Sequence, residues 1–196
     1  MDKSGKNEEI ECKMGVVKNC TGSSSFTYHG TTVICVIQGP FNSHHRDEKS
    51  DRADLIIRWK ESKLIHDRIS EKYYSAILKD ILSKFIILEL DPHKTIEISV
   101  HIMVGERNAL LCAVNSCLAA LLDAGIPLSC LFYATSTSKF DEEVVVFAKQ
   151  DGMFIREYSH CFGEITDNMK KIAMEKLPYI EDIILFALNS KQGVDD

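Results

Sequence analysis

Long apolar runs are missing from this chain. No window approaches the roughly 18 consecutive uncharged apolar residues of a membrane-spanning helix. The first residues, Met1 to Glu11, are polar and charged, unlike a signal peptide. The expectation is a soluble intracellular chain with no membrane partner. Metal-ligand spacing is missing as well. Of seven cysteines, Cys35, Cys112, Cys117 and Cys130 lie inside apolar runs and read as small buried hydrophobes kept reduced. His44-His45 with Asp47 and Glu48 is the other metal candidate, but adjacent histidines in a polar loop rarely turn both rings to one ion. No metal and no cofactor is expected. A Gly-x-Ser-x-Gly elbow and a glycine-rich nucleotide loop are both absent, so a hydrolase triad and a nucleotide site are unsupported. Positive charge is also scarce: 23 Lys and Arg face 29 Asp and Glu, for a net charge of -6. That argues against a protein that grips nucleic acid over its whole surface. An RNA ligand would have to meet a local basic patch, or one supplied by neighbours.

What is present suits one well-filled domain: 196 residues, 45% hydrophobic and 27% charged. Its organising stretch is Gly105 to Leu128. A polar entry, Gly105-Glu106-Arg107-Asn108, leads into Ala109 to Ala124, where Leu110, Ala113, Val114, Cys117, Leu118 and Leu121 cover most of a helix circumference. A helix apolar nearly all round is packed on several sides. Asn108 is expected as the N-cap, Gly125 as the left-handed stop, with Pro127 just beyond.

Around that helix the pattern is mixed. A flexible leader over residues 1–14 is expected, then a domain over 15–190 and a flexible tail over 191–196. Thr21 to Pro40 reads as a hairpin turning at His29-Gly30, its second strand Val33 to Ile37 apolar on both faces and so central. Ala53 to Trp59 alternates as a strand. Ile69 to Phe85 reads as a helix, with one stripe of Ile69, Tyr73, Ile77 and Ile81, and with Tyr74, Leu78 and Leu82 beside it. Thr95 to Met103 alternates most clearly, Ile96, Ile98, Val100 and Ile102 against Glu97, Ser99 and His101. Leu131 to Thr135 is a further strand, and Val144 to Ala148 pairs with Met153 to Tyr158 around Asp151-Gly152. Thr166 to Leu188 is a last helix that Pro178 should kink or split. The fold class is α/β (α+β): a single domain of mixed sheets with a buried central helix and further helices packed on them.

Two separated motifs carry a resemblance. Leu121-Leu122-Asp123-Ala124-Gly125-Ile126-Pro127-Leu128 resembles a segment of the RNase PH family, and Gly22-Ser23-Ser24, Gly30-Thr31-Thr32 and Gly39-Pro40 resemble that family's opening. The resemblance implies an RNase PH-like domain. It also implies what an active member needs: a glycine, a hydroxyl residue and an arginine at the start of the central helix to hold inorganic phosphate, and aspartates in the later strand pair. Counting back from Asp123 places the phosphate triplet on Asn108-Ala109-Leu110, without hydroxyl or guanidinium, and Arg107 lies three positions from the required place. Basic helix residues that help hold phosphate in some members fall near Lys79 or Asp80. The acidic segment is contracted, with Glu142 or Glu143 near one family aspartate and no counterpart for the other. An acidic trio, Asp141-Glu142-Glu143, also suits a solvated strand entrance.

No residue is therefore expected to be catalytic. The chain resembles the non-catalytic RNase PH-type subunits of the eukaryotic exosome ring. This implies other RNase PH-like exosome subunits in a six-membered ring, RNA-binding cap subunits and single-stranded RNA as partners, and a place in nucleus, nucleolus and cytoplasm. Arg58, Lys60, Lys63 and Arg68 form the best local basic cluster, interrupted by Glu61 and Asp67, and with Arg107 they are the candidate RNA contacts. Two other readings remain: a phosphate-dependent 3′-to-5′ exoribonuclease using Arg107 and Glu142 or Glu143, and a stand-alone homodimeric RNA-binding module.

Overall fold

In a computed structural model, residues 10–42, 51–62, 68–105, 107–136, 144–150, 153–160 and 167–192 are described. Their elements, in chain order, are β1 (Ile10–Met14), β2 (Gly22–Tyr28), β3 (Thr31–Asn42), β4 (Asp54–Glu61), α1 (Arg68–Leu82), β5 (Lys94–Val104), α2 (Ala109–Ala124), β6 (Leu131–Ser136), β7 (Val144–Gln150), β8 (Met153–His160) and α3 (Asp167–Gln192). A short 3-10 turn, Leu88–Leu90, precedes β5.

Five strands form one sheet in the order β1-β2-β3-β5-β4, and three form a second in the order β6-β7-β8. The hairpin β2–β3 turns at His29 and Gly30, both with positive φ, and β3 is the middle strand of the larger sheet. Alternation decides the faces: Val33, Cys35 and Ile37 on β3, Ile98, Val100 and Ile102 on β5, and Leu55 and Trp59 on β4 are all buried on one side. On the other side lie Arg58, Lys60, Glu97 and His101.

Helix α2 lies between the sheets, with every residue from Leu110 to Leu121 buried. Its two buried polar residues face opposite ways. The Asn115 amide donates to the Ala134 carbonyl at 2.9 Å and accepts the Ala134 N–H at 2.8 Å, fixing β6. The Ser116 hydroxyl meets the Ser24 hydroxyl at 2.8 Å, fixing β2. Both are paired, as burial requires. Cys35 and Cys117, both fully buried, bring their sulfurs to 3.6 Å, and burial pushes the Cys35 thiol well up from its usual range. Cys112 is buried too, whereas Cys130, expected in the core, is only half-buried.

Helix α3 crosses both sheets. On the smaller one, Glu181 accepts from Lys149 Nζ at 2.5 Å and from the Tyr133 hydroxyl at 3.2 Å; burial first, then the Glu181 charge, raises the Tyr133 phenol.

Four expectations need correction. Ile10–Met14 is not leader: it is β1, paired antiparallel with β2, because Ile10, Cys12 and Met14 alternate onto the core. The domain does not stop at 190 either, since α3 runs to Gln192 and Lys191 is bonded into the body. Pro178 does not split α3, which is one helix of 26 residues. Ala173 and Leu177 before the proline and Ile180 and Ile184 after it are all buried, so packing outweighs the one lost donor. Lastly, the buried face of α1 is Leu78, Ile81 and Leu82 with Tyr74 stacked on Trp59, while Ile69 and Tyr73 are 81% and 53% exposed. Both stripes are buried in the carboxyl-terminal half of α1, and the first stripe is exposed at its amino-terminal end, where Ile69 and Tyr73 stand.

Candidate functional site

The two motifs that suggested a family meet in space at the carboxyl end of α2. Gly22 approaches α2 so closely that a Cβ there would stand 2.5 Å from the Ala120 carbonyl oxygen and 2.6 Å from Ala124. Only glycine fits. The next N–H, of Ser23, donates to Asp123 Oδ2 at 3.0 Å, and Lys191 Nζ on α3 binds Asp123 Oδ1 at 2.5 Å. The Asp123 side chain is 3% exposed, whereas Lys191 is 42% exposed and meets it from the solvent side. The Ser23 hydroxyl in turn accepts the Val17 N–H at 2.9 Å. Gly125, at φ 67°, then ends the helix: its N–H reaches the Leu122 carbonyl and that of Ile126 the Leu121 carbonyl, satisfying the final turn. Asp123 and Gly22 are thus a clamp that joins sheet, central helix and last helix.

The amino end of α2 is built differently. Asn108 does not cap it. Asn108 has left-handed backbone angles, φ 59° and ψ 12°, and its side chain makes no bond to the first turn; only its carbonyl takes part, accepting the Cys112 N–H at 2.9 Å. Asn108 is 4% exposed, and among the described residues neither amide atom has a hydrogen-bond partner. Such a group costs ~1–3 kcal/mol. Thr135, on the part of β6 that runs past Asn115 towards this end, also has a buried hydroxyl without a partner among the described residues. The entry loop is held instead by the β2–β3 turn: the Thr31 hydroxyl donates to the Arg107 carbonyl, and the Cys112 thiol to the Thr31 carbonyl at 3.7 Å. Arg107 itself is exposed. Its carbonyl, not its guanidinium, is engaged.

The cationic candidates fall on one end of the larger sheet. β4 and β5 run parallel, so Lys60 near the end of β4, Arg68 at the start of α1 and Arg107 beyond β5 lie towards the same edge. They are not a field of free cations. Arg58 is held by both oxygens of Glu97, at 2.8 and 3.3 Å, and Lys60 stands 3.7 Å from Glu71. Glu61 accepts from the Trp59 indole at 3.3 Å. Sequence reading saw Glu61 and missed Glu97 and Glu71, which come from another strand and from α1. Lys63 lies outside the described residues, as do Asp67, the His44-His45 loop and the acidic trio with Glu142 and Glu143. Lys79 is exposed near the end of α1, which adjoins Ser129 beyond the opposite end of α2, so it does not join the phosphate position. Among the described residues, no group of three or more His, Cys, Asp or Glu gathers as for a metal.

This fold, with its clamp, defines a class. Residues 7–127 match the RNase PH family, described as "3′ exoribonuclease family, domain 1", and the chain belongs to it. Among curated relatives it is 28% identical over 125 residues to the exosome complex exonuclease RRP46 homolog of Arabidopsis thaliana, covering 64% of this chain and 52% of that one. It is 25% identical over 173 residues to the RRP46 homolog of Oryza sativa subsp. japonica, covering 86% and 70%. It is 28% identical over 146 residues to the exosome complex component Rrp41 of Pyrococcus horikoshii, covering 70% and 58%. The chain thus spans from about half to 70% of the length of these relatives. The crystal structure of rice Rrp46 has the same fold, with a TM-score of 0.75 at 20% identity over 93% of this chain and 95% of that one.

Proposed function

We propose that this chain is an RNase PH-type subunit of an RNA exosome ring, which helps build the channel for single-stranded RNA and does not itself cleave it. The observation that carries this reading is the amino end of α2. Where an active relative's phosphate triplet would lie, this chain has Asn108-Ala109-Leu110, with Asn108 buried and left-handed and Arg107 exposed. Those three positions themselves offer a phosphate one neutral amide and no cation, and positive charge is what inorganic phosphate requires. Three relatives whose names place them in exosome complexes support the assembly. Its partners in this reading are other RNase PH-like subunits, forming a six-membered ring, and RNA-binding cap subunits, in nucleus, nucleolus and cytoplasm.

Two measurements test it. Purified chain with single-stranded RNA in phosphate buffer should release no nucleoside diphosphate. Release that vanishes on Arg107→Ala would establish the chain as a phosphorolytic 3′-to-5′ exoribonuclease and sink the proposal. Affinity purification from its own cell should bring down other RNase PH-like chains in equal amounts; recovery of the chain alone would sink the ring.

A further inference from the structure

On β4 the cations are answered by acids, Arg58 by Glu97 and Lys60 by Glu71. Helix α1 carries three that are not. At about 100° per residue, Arg68, Lys72 and Lys79 fall within about 40° of one another on one side of the helix, in a line roughly 16 Å long. All three are exposed, and among the described residues none has an acidic partner. The acids of the same helix are turned to other cations, Glu71 to Lys60 and Asp80 to Lys84 at 3.4 Å. In a chain of net charge -6, this is a local stretch of positive surface.

A row of exposed cations on a helix is ordinarily just a solvated face. What sets this one apart is its neighbour. Ile69 and Tyr73, one turn apart, lie alongside the row and stand 81% and 53% exposed, where an amphipathic helix would carry polar side chains. The Tyr73 ring is also propped from below. It meets Tyr74 edge-on, with centroids 5.4 Å apart, and Tyr74 is stacked at 4.9 Å on Trp59, which is buried. Three aromatic rings thus step from the core to the surface, and the outermost is held in place beside the cations.

We propose that this side of α1 is a track for single-stranded RNA, with phosphates against Arg68, Lys72 and Lys79 and a base stacked on Tyr73 beside Ile69. The pairing of charge with an aromatic selects this ligand. A strand of RNA is an anion along its backbone and carries flat apolar faces at its side, and a basic line flanked by a fixed ring offers one partner to each. A duplex has its base faces already stacked, so it could use the cations and not the ring. The proposal rests on the RNA reading for its ligand. Of the cations gathered along the chain around Trp59, only Arg68 belongs to it.

Anisotropy of a fluorescent single-stranded oligouridylate, titrated with the full chain at low salt, tests the track. Log affinity should fall against log salt with a slope of about −2, from three phosphates at about 0.7 each. Lys72→Ala with Lys79→Ala should take about 1.4 from that slope. Tyr73→Ala should weaken binding about tenfold and leave the slope alone, while Tyr73→Phe binds like the unaltered chain. Duplex RNA of the same length should not respond to Tyr73→Ala. All these side chains are exposed, so the thermal midpoint should stay put and loss of fold is told from loss of contact. Affinity indifferent to both the lysine pair and Tyr73 would overturn the track and leave the ring standing, since recovery of RNase PH-like neighbours is measured separately. Variants that keep their RNA affinity but no longer bring down those neighbours would also overturn it, making α1 a protein interface. A chain that recovers no neighbours yet loses RNA on Tyr73→Ala would support the track and remove the ring.

Discussion

The two ends of α2 are made from the same helix and obey opposite rules. At the carboxyl end each polar group described has a partner: Asp123 with Ser23 and Lys191, Gly125 and Ile126 with the last carbonyls. At the amino end two buried side chains, Asn108 and Thr135, have none among the described residues, and the entry is left-handed. The first end holds the motif that carries the resemblance, and in the reading proposed above the second is where a phosphate triplet would lie. The difference teaches that the retained motif is structural. Asp123 and Gly22 hold three elements together and would be needed whether or not phosphate ever bound.

The comparison can be broken or sharpened by substitution. The largest effect should come from Gly22→Ala, whose new methyl would meet the backbone of α2 at 2.5 Å; denaturant melts should show a loss of about 3 kcal/mol. A loss under ~0.5 kcal/mol would mean the clamp is loose. Asp123→Asn follows. It removes the charge from a nearly buried acceptor shared by Ser23 and Lys191 and should cost ~2–3 kcal/mol, with most of the loss at low salt preserved at high salt because the carboxylate is shielded. At the other end the sign reverses. Asn108→Gly removes a buried amide that has no partner among the described residues and suits the left-handed backbone, so it should stabilise by about 1 kcal/mol, read as a raised thermal midpoint. Destabilisation would show that the amide is held after all. The smallest change belongs to Arg107→Ala, an exposed side chain whose carbonyl does the structural work: stability should move by less than about 0.5 kcal/mol.

Local periodicity made much of this legible. The strands β2 to β5, the helix α2 with its Gly125 stop and the pairing of β7 with β8 were all readable, because alternation and helix spacing are properties of a few neighbouring residues. The resemblance added two motifs but not the reason they travel together. Their contact, Ser23 to Asp123, joins residues a hundred positions apart. The candidate cations show the same limit. Arg58 and Lys60 read as a basic patch along the chain, and Glu97 and Glu71, which bind them, arrive from elsewhere.

By itself, then, the order of residues determined that a wholly apolar helix must be enclosed, where it stops, and which strands present one apolar face. These follow from backbone geometry and solubility acting over one or two turns. Tertiary structure alone decided that Ile10–Met14 would be recruited as an edge strand, that α1 would bury its carboxyl-terminal Leu78, Ile81 and Leu82 and leave Ile69 and Tyr73 exposed, and that the Asn108 side chain would be buried without capping its helix. Each of those outcomes depends on which surface comes to lie against it. That choice is a competition between burial and hydrogen bonding over the whole domain, and no short stretch contains its terms.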